Sequence, residues 1–313
     1  MKEAEAMSCL PSQMPHLRPG SERTERIDRF AWTVGMCFDA FDVRIGVRSN
    51  EPLLLERLEP CLPPGWTPVA SPVVDQLFSL WVDDGRGPGR RLHRVYAGRA
   101  SRLRTPDLGQ ALDVLESEIR QCVAARAPER VFVHAGVVGW RGRAILIPGR
   151  SRSGKTTLVA ELVKEGASYF SDEFAVLDRQ GHVHPFAKPL SIREGPCEVH
   201  EIVRRRHPGE LGGRSAPGAL PVGLVALTAH RAGAGWGPSW LTCGEAVLEM
   251  LAHTVPARLR PEACLEALGA VAARARVFRC ERGEAWEAAR ALLGMLEETE
   301  RSPCRETGEE EMR

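Results

Sequence analysis

Eight consecutive residues carry the densest chemistry in the chain. Gly149-Arg150-Ser151-Arg152-Ser153-Gly154-Lys155-Thr156 fits the spacing G-x-x-x-x-G-K-[ST]. Its glycines let the backbone wrap tightly, so that successive N–H groups converge on one concavity. Leu158, Val159, Leu162 and Val163 then recur at helical spacing, so the loop opens a helix whose N-terminus adds partial positive charge. Lys155 supplies a mobile cation for β- and γ-phosphates, and the Thr156 hydroxyl suits Mg²⁺. Thr157, the next residue, belongs to the same cofactor-binding set. Arg150 and Arg152 stand inside the loop, within reach of a phosphate, although loop arginines are more often solvated. Only Lys2, Lys155, Lys164 and Lys188 are lysines among the 42 basic residues. Such scarcity puts chance matches to this pattern on the order of 0.003 for the whole chain. The motif predicts a nucleotide-phosphate site with Mg²⁺ at it.

Two further groups flank the loop. His134 lies in the apolar run Val131–Val138, on the face of Phe132 and Gly136 by alternation. On pattern alone a histidine in such a strand is more often a core residue. Ser171-Asp172-Glu173 ends a short strand that follows the helix. Paired acids beside a phosphate loop suit metal coordination and removal of a proton from an attacking hydroxyl; a solvated turn or helix cap is the alternative.

The elements that must position these groups follow from periodicity. Val131–Val138 and Arg143–Pro148 read as a hairpin about Gly139–Gly142. The loop and its helix come next, with Gly166 as C-terminal cap. Ser168–Phe170 reads as a strand, and Phe174–Leu177 with His182–Phe186 as a hairpin about Asp178–Gly181. Pro189–Arg193 and Val222–Leu227 read as strands. Gly244–His253, Pro261–Ala273 and Gly283–Glu298 read as helices, with a strand at Val277–Cys280. Glu194–Pro217, rich in arginine and glycine, is expected to be a mobile segment.

In this order (histidine strand, hairpin, GxxxxGK[ST], helix, glycine, short strand, double acid) the chain resembles the catalytic domain of bacterial HPr kinase/phosphorylase. That domain belongs to a wider class similar to ATP-dependent phosphoenolpyruvate carboxykinase. The family's HGVLV-like strand reads His134-Ala135-Gly136-Val137-Val138 here, its Walker loop Gly149–Thr156, and its acid pair Asp172-Glu173. The resemblance covers about Val131–Arg193. Beyond it, Ser191-Ile192-Arg193-Glu194-Gly195 matches a later motif in part, with Arg193 or Glu194 in a phosphate or Mg²⁺ role.

The resemblance implies a P-loop HPr-kinase/carboxykinase-like domain with a mixed sheet; with the strand-rich first half read from periodicity, the chain is expected to be an α/β protein in which a smaller β-rich α+β domain precedes it. The resemblance also implies an ATP-dependent serine kinase acting on a hydroxyl of a protein or peptide, with modified-peptide precursors among the candidates. Asp172 would be the general base, supported by His134 and Glu173, with Lys155 on the phosphates and Thr156 and Glu173 on the metal. The alternative is a nucleotide-binding regulatory or assembly protein with little transferase activity.

Upstream, residues 1–25 read as a disordered leader and 26–128 as the β-rich domain; 129–300 form the kinase-like domain and 301–313 a disordered tail. Within 26–128, strands are expected in 28–48, then a short helix over Pro52–Leu58 and a strand pair at Asp75–Val82 and Leu92–Ala97. A helix from Leu108 closes the domain, with Thr105 as N-cap and Pro106 at its first position.

With 313 residues the chain has room for two domains. A formal net charge of +1 supplies no field for nucleic acid or an anionic membrane. Nine widely spaced cysteines without a C-x-x-C pair suit a reducing compartment, so the cytoplasm is expected. By the resemblance, the expected partner is a protein or peptide substrate, with self-association compatible. His182-Val183-His184 and the basic run Arg204-Arg205-Arg206-His207 read as a hairpin edge and a solvated face.

Overall fold

The computed structural model describes residues 14–17, 27–85, 91–150, 153–194, 202–214 and 218–301. Its backbone is mixed α/β, with six α-helices among the described residues, and it divides into two compact units, Met1–Arg130 and Val131–Arg313. No helix among those residues is long and apolar enough to cross a membrane.

In the first unit β1 (His16–Leu17) is followed by β2 (Val34–Ala40), β3 (Val43–Ser49), α1 (Leu54–Leu58), β4 (Thr67–Pro68) and β5 (Val73–Val74). Then come β6 (Gln76–Trp81), β7 (His93–Ala97), β8 (Ala100–Thr105) and α2 (Leu108–Arg126). Six strands form one sheet in the order β4-β2-β3-β6-β7-β8. Helix α2 lies against β6, β7 and β8 and buries Ala111, Leu115, Ile119 and Val123.

Three features of this unit differ from the sequence expectation. The leader expected to be disordered contributes β1, which pairs in parallel with β5; the other residues of 1–25, apart from Met14 and Pro15, lie outside the described ones. The N-cap of α2 is Asp107, whose carboxylate accepts from the amides of Gly109 and Gln110. Thr105 instead ends β8, and its hydroxyl donates to Gln110. A carboxylate serving two orphan amides is the stronger cap. Strand β8 itself escaped the sequence reading because it is an exposed edge with a single partly covered apolar residue, Leu103.

The second unit starts with β9 (Val131–Trp140), β10 (Arg143–Pro148), α3 (Lys155–Lys164), β11 (Ser168–Ser171), β12 (Phe174–Leu177) and β13 (His182–His184). It continues through β14 (Leu190–Glu194), β15 (Ile202–Arg206), β16 (Leu220–His230), β17 (Ser239–Trp240), α4 (Cys243–Leu251), α5 (Pro261–Ala272), β18 (Arg276–Arg282) and α6 (Ala285–Arg301). The main sheet runs β10-β9-β12-β13-β16-β18-β17, with β11 on β9. Strand β16 is parallel to both β10 and β18, while β9, β10, β11 and β12 pair antiparallel. The sheet is therefore mixed, and an apolar core lies on each face. One core gathers α4 and α5 residues such as Met250 and Leu268; the other gathers α3 and α6 residues such as Leu158 and Leu292.

Within the segment expected to be mobile, β15 pairs antiparallel with β14, the strand expected at Pro189–Arg193, and a 3-10 turn follows at Pro208–Leu211. Strand β15 carries the basic run, where Arg206 pairs with Glu210. Residues 195–201 and 215–217 of that segment, and the tail after 301, lie outside the described ones.

One glycine sets how closely α3 can approach the sheet. A Cβ on Gly136 of β9 would stand 2.5 Å from Val159 Cγ2. Replacing Gly136 with alanine therefore forces overpacking, a cost of about 1–3 kcal/mol. For a unit of this size the melting temperature should fall by roughly 2–10 °C. Pairing Gly136→Ala with Val159→Ala should recover part of that loss in a thermal melt. An unshifted melt for the single variant would show that α3 does not depend on this contact.

Candidate active site

Strand β9 assembles the site from neighbouring rungs. Along one edge β10 places Ile147 opposite Gly136 and Pro148 opposite Ala135. One step further the Gly149 amide donates to the His134 carbonyl at 3.1 Å, and there the chain leaves the sheet as the loop. Along the other edge β12 places Phe174 opposite His134. Counting back in that register, Glu173 faces Ala135 and Asp172 faces Gly136, and the Ala135 amide donates to the Glu173 carbonyl at 3.2 Å. An irregularity between Tyr169 and Ser171 shifts β11 by one residue against β9. From Ser171 onward the chain keeps the β12 register on β9, and that register sets the face Asp172 takes. Alternation gives it the face of His134 and Gly136, the face that α3 covers.

The loop ends at Gly154, whose φ of +83° suits glycine. Lys155 reaches back across the loop and donates to the carbonyls of Gly149 and Arg150 at 2.8 and 2.6 Å. In the first turn of α3, Thr156 donates its hydroxyl to Asp172 Oδ2 at 3.2 Å. Thr157 points to solvent and Arg150 is exposed. Ser153 turns its Oγ inward, buried and without a hydrogen bond. Ser151 and Arg152, both expected to touch the cofactor, lie outside the described residues. Arg193 and Glu194 belong to β14.

Asp172 is buried at 6% exposure, and donors surround it. Lys188 Nζ stands 3.0 Å from its Oδ1 and 3.5 Å from Glu173 Oε2. The Tyr169 hydroxyl lies 3.0 Å from the same Oδ1 and 2.9 Å from the Lys188 carbonyl, with one proton to give. Burial pushes the Tyr169 hydroxyl far above the usual phenol range, and the Asp172 charge adds to it. It is a fixed hydrogen-bond donor. Burial also lowers the Lys155 ammonium, against the pull of Asp172 and Glu173.

His134 is half-buried, with its ring 4.8 Å from that of Phe174. Burial holds it below the ordinary imidazole range, against the pull of Glu173. Its amide donates to the His253 carbonyl at 2.8 Å, and burial with the Lys155 charge lowers His253 too. From β18, buried Arg282 donates Nη2 to the Gly154 carbonyl at 3.0 Å. A Cβ on Gly154 would meet that same nitrogen at 2.5 Å.

The sequence reading named Gly149, Lys155, Thr156, His134, Asp172 and Glu173, and the fold gathers them on one patch of sheet and loop. It missed Tyr169, Lys188, His253 and Arg282. Lys188 had a signal, being one of four lysines, and Tyr169 is one of two tyrosines. Arg282 is hidden among the arginines.

Chemically, the arrangement offers an ammonium, a hydroxyl and two carboxylates beside the start of α3. Thr156 and the acid pair are hard oxygen donors of the kind Mg²⁺ prefers, alongside phosphate oxygens and water. Among the described residues no group of three or more His, Cys, Asp or Glu could hold a metal alone. Asp178 sits within 2.9 Å of His184 and 3.7 Å of His182, holding the H-x-H pair as a hairpin contact. No protein-family model matches the chain, and no curated protein matches it.

The lowered histidines make stability depend on pH. The unfolded chain takes up protons near pH 6.5, before folded His134 and His253 do, so acid favours unfolding. Denaturant-derived stability should therefore be full above about pH 7 and fall as pH drops through 6.5. The slope should be shallower in His134→Asn. An identical slope in that variant would contradict burial of a neutral His134.

Proposed function

We propose that the second unit is an ATP-dependent kinase of the HPr-kinase/carboxykinase-like kind, transferring a phosphoryl group to a serine-type hydroxyl of a protein or peptide. The observation that carries this reading is the Thr156–Asp172 contact of 3.2 Å, which joins the loop's metal-ligating hydroxyl to the buried acid. The first turn of α3 and the catalytic carboxylate thereby share one point in space. The mixed sheet and the order of hairpin, loop, helix and acid pair support the same assignment.

In this reading the loop amides and Lys155 hold the nucleotide phosphates and take up charge as it develops on the transferring group. Thr156, Asp172 and Glu173 would hold Mg²⁺, which would supply positive charge to neutralise the nucleotide phosphates. Asp172 orients the acceptor hydroxyl and receives its proton. The hydroxyl oxygen forms a bond to the γ-phosphorus, and the bond from that phosphorus to the β,γ-bridging oxygen breaks. Buried, hydrogen-bonded Tyr169 keeps the carboxylate in one orientation, and His134 supports it without carrying charge at neutral pH. Arg282 fixes the Gly154 peptide from behind the loop.

A second reading, a nucleotide-binding regulatory or assembly protein with little transferase activity, draws on one observation. Lys188 is ion-paired to Asp172 at 3.0 Å, so the carboxylate that would take up the acceptor proton is already engaged by a cation.

One experiment separates the two. The protein is incubated with Mg·ATP and an acceptor panel of HPr, serine-containing peptides and its own cell lysate, and products are weighed by mass spectrometry. One phosphate should appear on an acceptor with the native chain. Asp172→Asn should still bind ATP yet lose transfer by on the order of 10²–10⁴-fold, the usual worth of a general base. Equal transfer by Asp172→Asn would remove Asp172 as the base; ATP binding with no acceptor labelled would favour the regulatory reading.

A further inference from the structure

The acid pair already has a resident cation. Lys188 lies between β13 and β14, in a stretch pinned to β11 at two points. The Phe186 amide donates to the Phe170 carbonyl at 3.0 Å, and the Lys188 carbonyl lies 2.9 Å from the Tyr169 hydroxyl. Phe186 is buried against Phe132 and Phe174. Pro189 follows and biases Lys188 toward an extended backbone. The side chain is 14% exposed, and its ammonium stands 3.0 Å from Asp172 and 3.5 Å from Glu173. An ammonium so far out of water needs anionic partners, and here it has two.

These are the carboxylates through which a divalent cation would bind, with Thr156 already on the other oxygen of Asp172. An ammonium and a metal dication cannot both claim the pair at full strength, because each repels the other at this range. We propose that Lys188 is a positioning residue that serves as built-in counter-cation of Asp172 and Glu173 and competes with divalent metal. Metal then binds well only when it arrives with nucleotide phosphate oxygens that complete its ligand set. Such ordering keeps the carboxylates aligned in the nucleotide-free protein without a metal. The inference rests on the kinase reading for the metal's role, while its test reads metal affinity alone.

The probe is Mn²⁺, titrated without nucleotide and followed by the electron paramagnetic resonance signal of the free ion. The native chain should bind it weakly. Lys188→Met, and equally Lys188→Gln, should bind Mn²⁺ at least about tenfold more tightly, since the competing charge is gone. Lys188→Arg, which keeps the charge, should stay as weak as the native chain. Adding Asp172→Asn to Lys188→Met should abolish the gain. Cooperative thermal melts with and without Mn²⁺ accompany each titration, and a larger Mn²⁺-induced rise for the neutral variants is the same result read through stability. Unchanged or weaker Mn²⁺ binding by the folded neutral variants would overturn the inference, as would tighter binding by Lys188→Arg. Neutral variants that fail to fold even with Mn²⁺ would overturn it too, by making Lys188 a purely structural ion-pair partner. Binding of a fluorescent ATP analogue to the native chain is measured in parallel. Its loss would sink the nucleotide reading without touching the Mn²⁺ comparison.

Discussion

A carboxylate withdrawn from water must be met by donors, and the architecture of the second unit is organised around meeting that need at Asp172. An isolated buried charge costs several kcal/mol even after relaxation, so Asp172 is tolerable only with a full set of partners. Those partners come from three separate stretches of chain. Thr156 arrives from the first turn of α3, Tyr169 from β11 and Lys188 from the segment before β14. Each contact fixes one of those elements relative to the others. Losing one partner of such a buried pair typically costs about 3–5 kcal/mol, mostly because the remaining charge is stranded. The same contacts therefore hold the fold together and aim the site.

Strand β9 supplies the frame on which this convergence is possible. Its His134–Ala135–Gly136 stretch is flanked by the end of β10 on one side and by the acid pair on the other. Loop and acids emerge from adjacent rungs, so their separation follows from strand spacing. The small residue at Gly136 then lets α3 settle close enough for Thr156 to reach across. On the far side of the loop, Arg282 ties the Gly154 carbonyl to β18. A buried guanidinium beside a helix N-terminus adds to a positive field that an anion would relieve.

Much of this was legible in the sequence where the signal is local. The spacing from Gly149 to Thr156 encodes a loop shape within eight residues, and Leu158, Val159, Leu162 and Val163 encode the helix behind it. The hairpin of β9 and β10 is short-range and reads from alternation and Gly142. What the sequence could not show depends on distant pairing. Nothing near Lys188 reveals that it meets Asp172, and Tyr169 looks like an ordinary core aromatic until β11 is placed beside β9. Strands β8 and β15 lack a clean apolar alternation, because one is an exposed edge and the other is arginine-rich. The cap of α2 went to Asp107 rather than Thr105 through a competition between two good capping residues, which spacing alone does not decide.

The central claim is that the loop from Gly149 to Thr156 holds nucleotide phosphate. Calorimetric titration of Mg·ATP into the native chain tests it most directly, with Lys155→Ala as the paired control. Saturable one-to-one binding to the native protein is expected, with a loss of at least about tenfold in the variant, the worth of a charge-assisted phosphate contact. No heat of binding with the native chain, or equal affinity in Lys155→Ala, would contradict it.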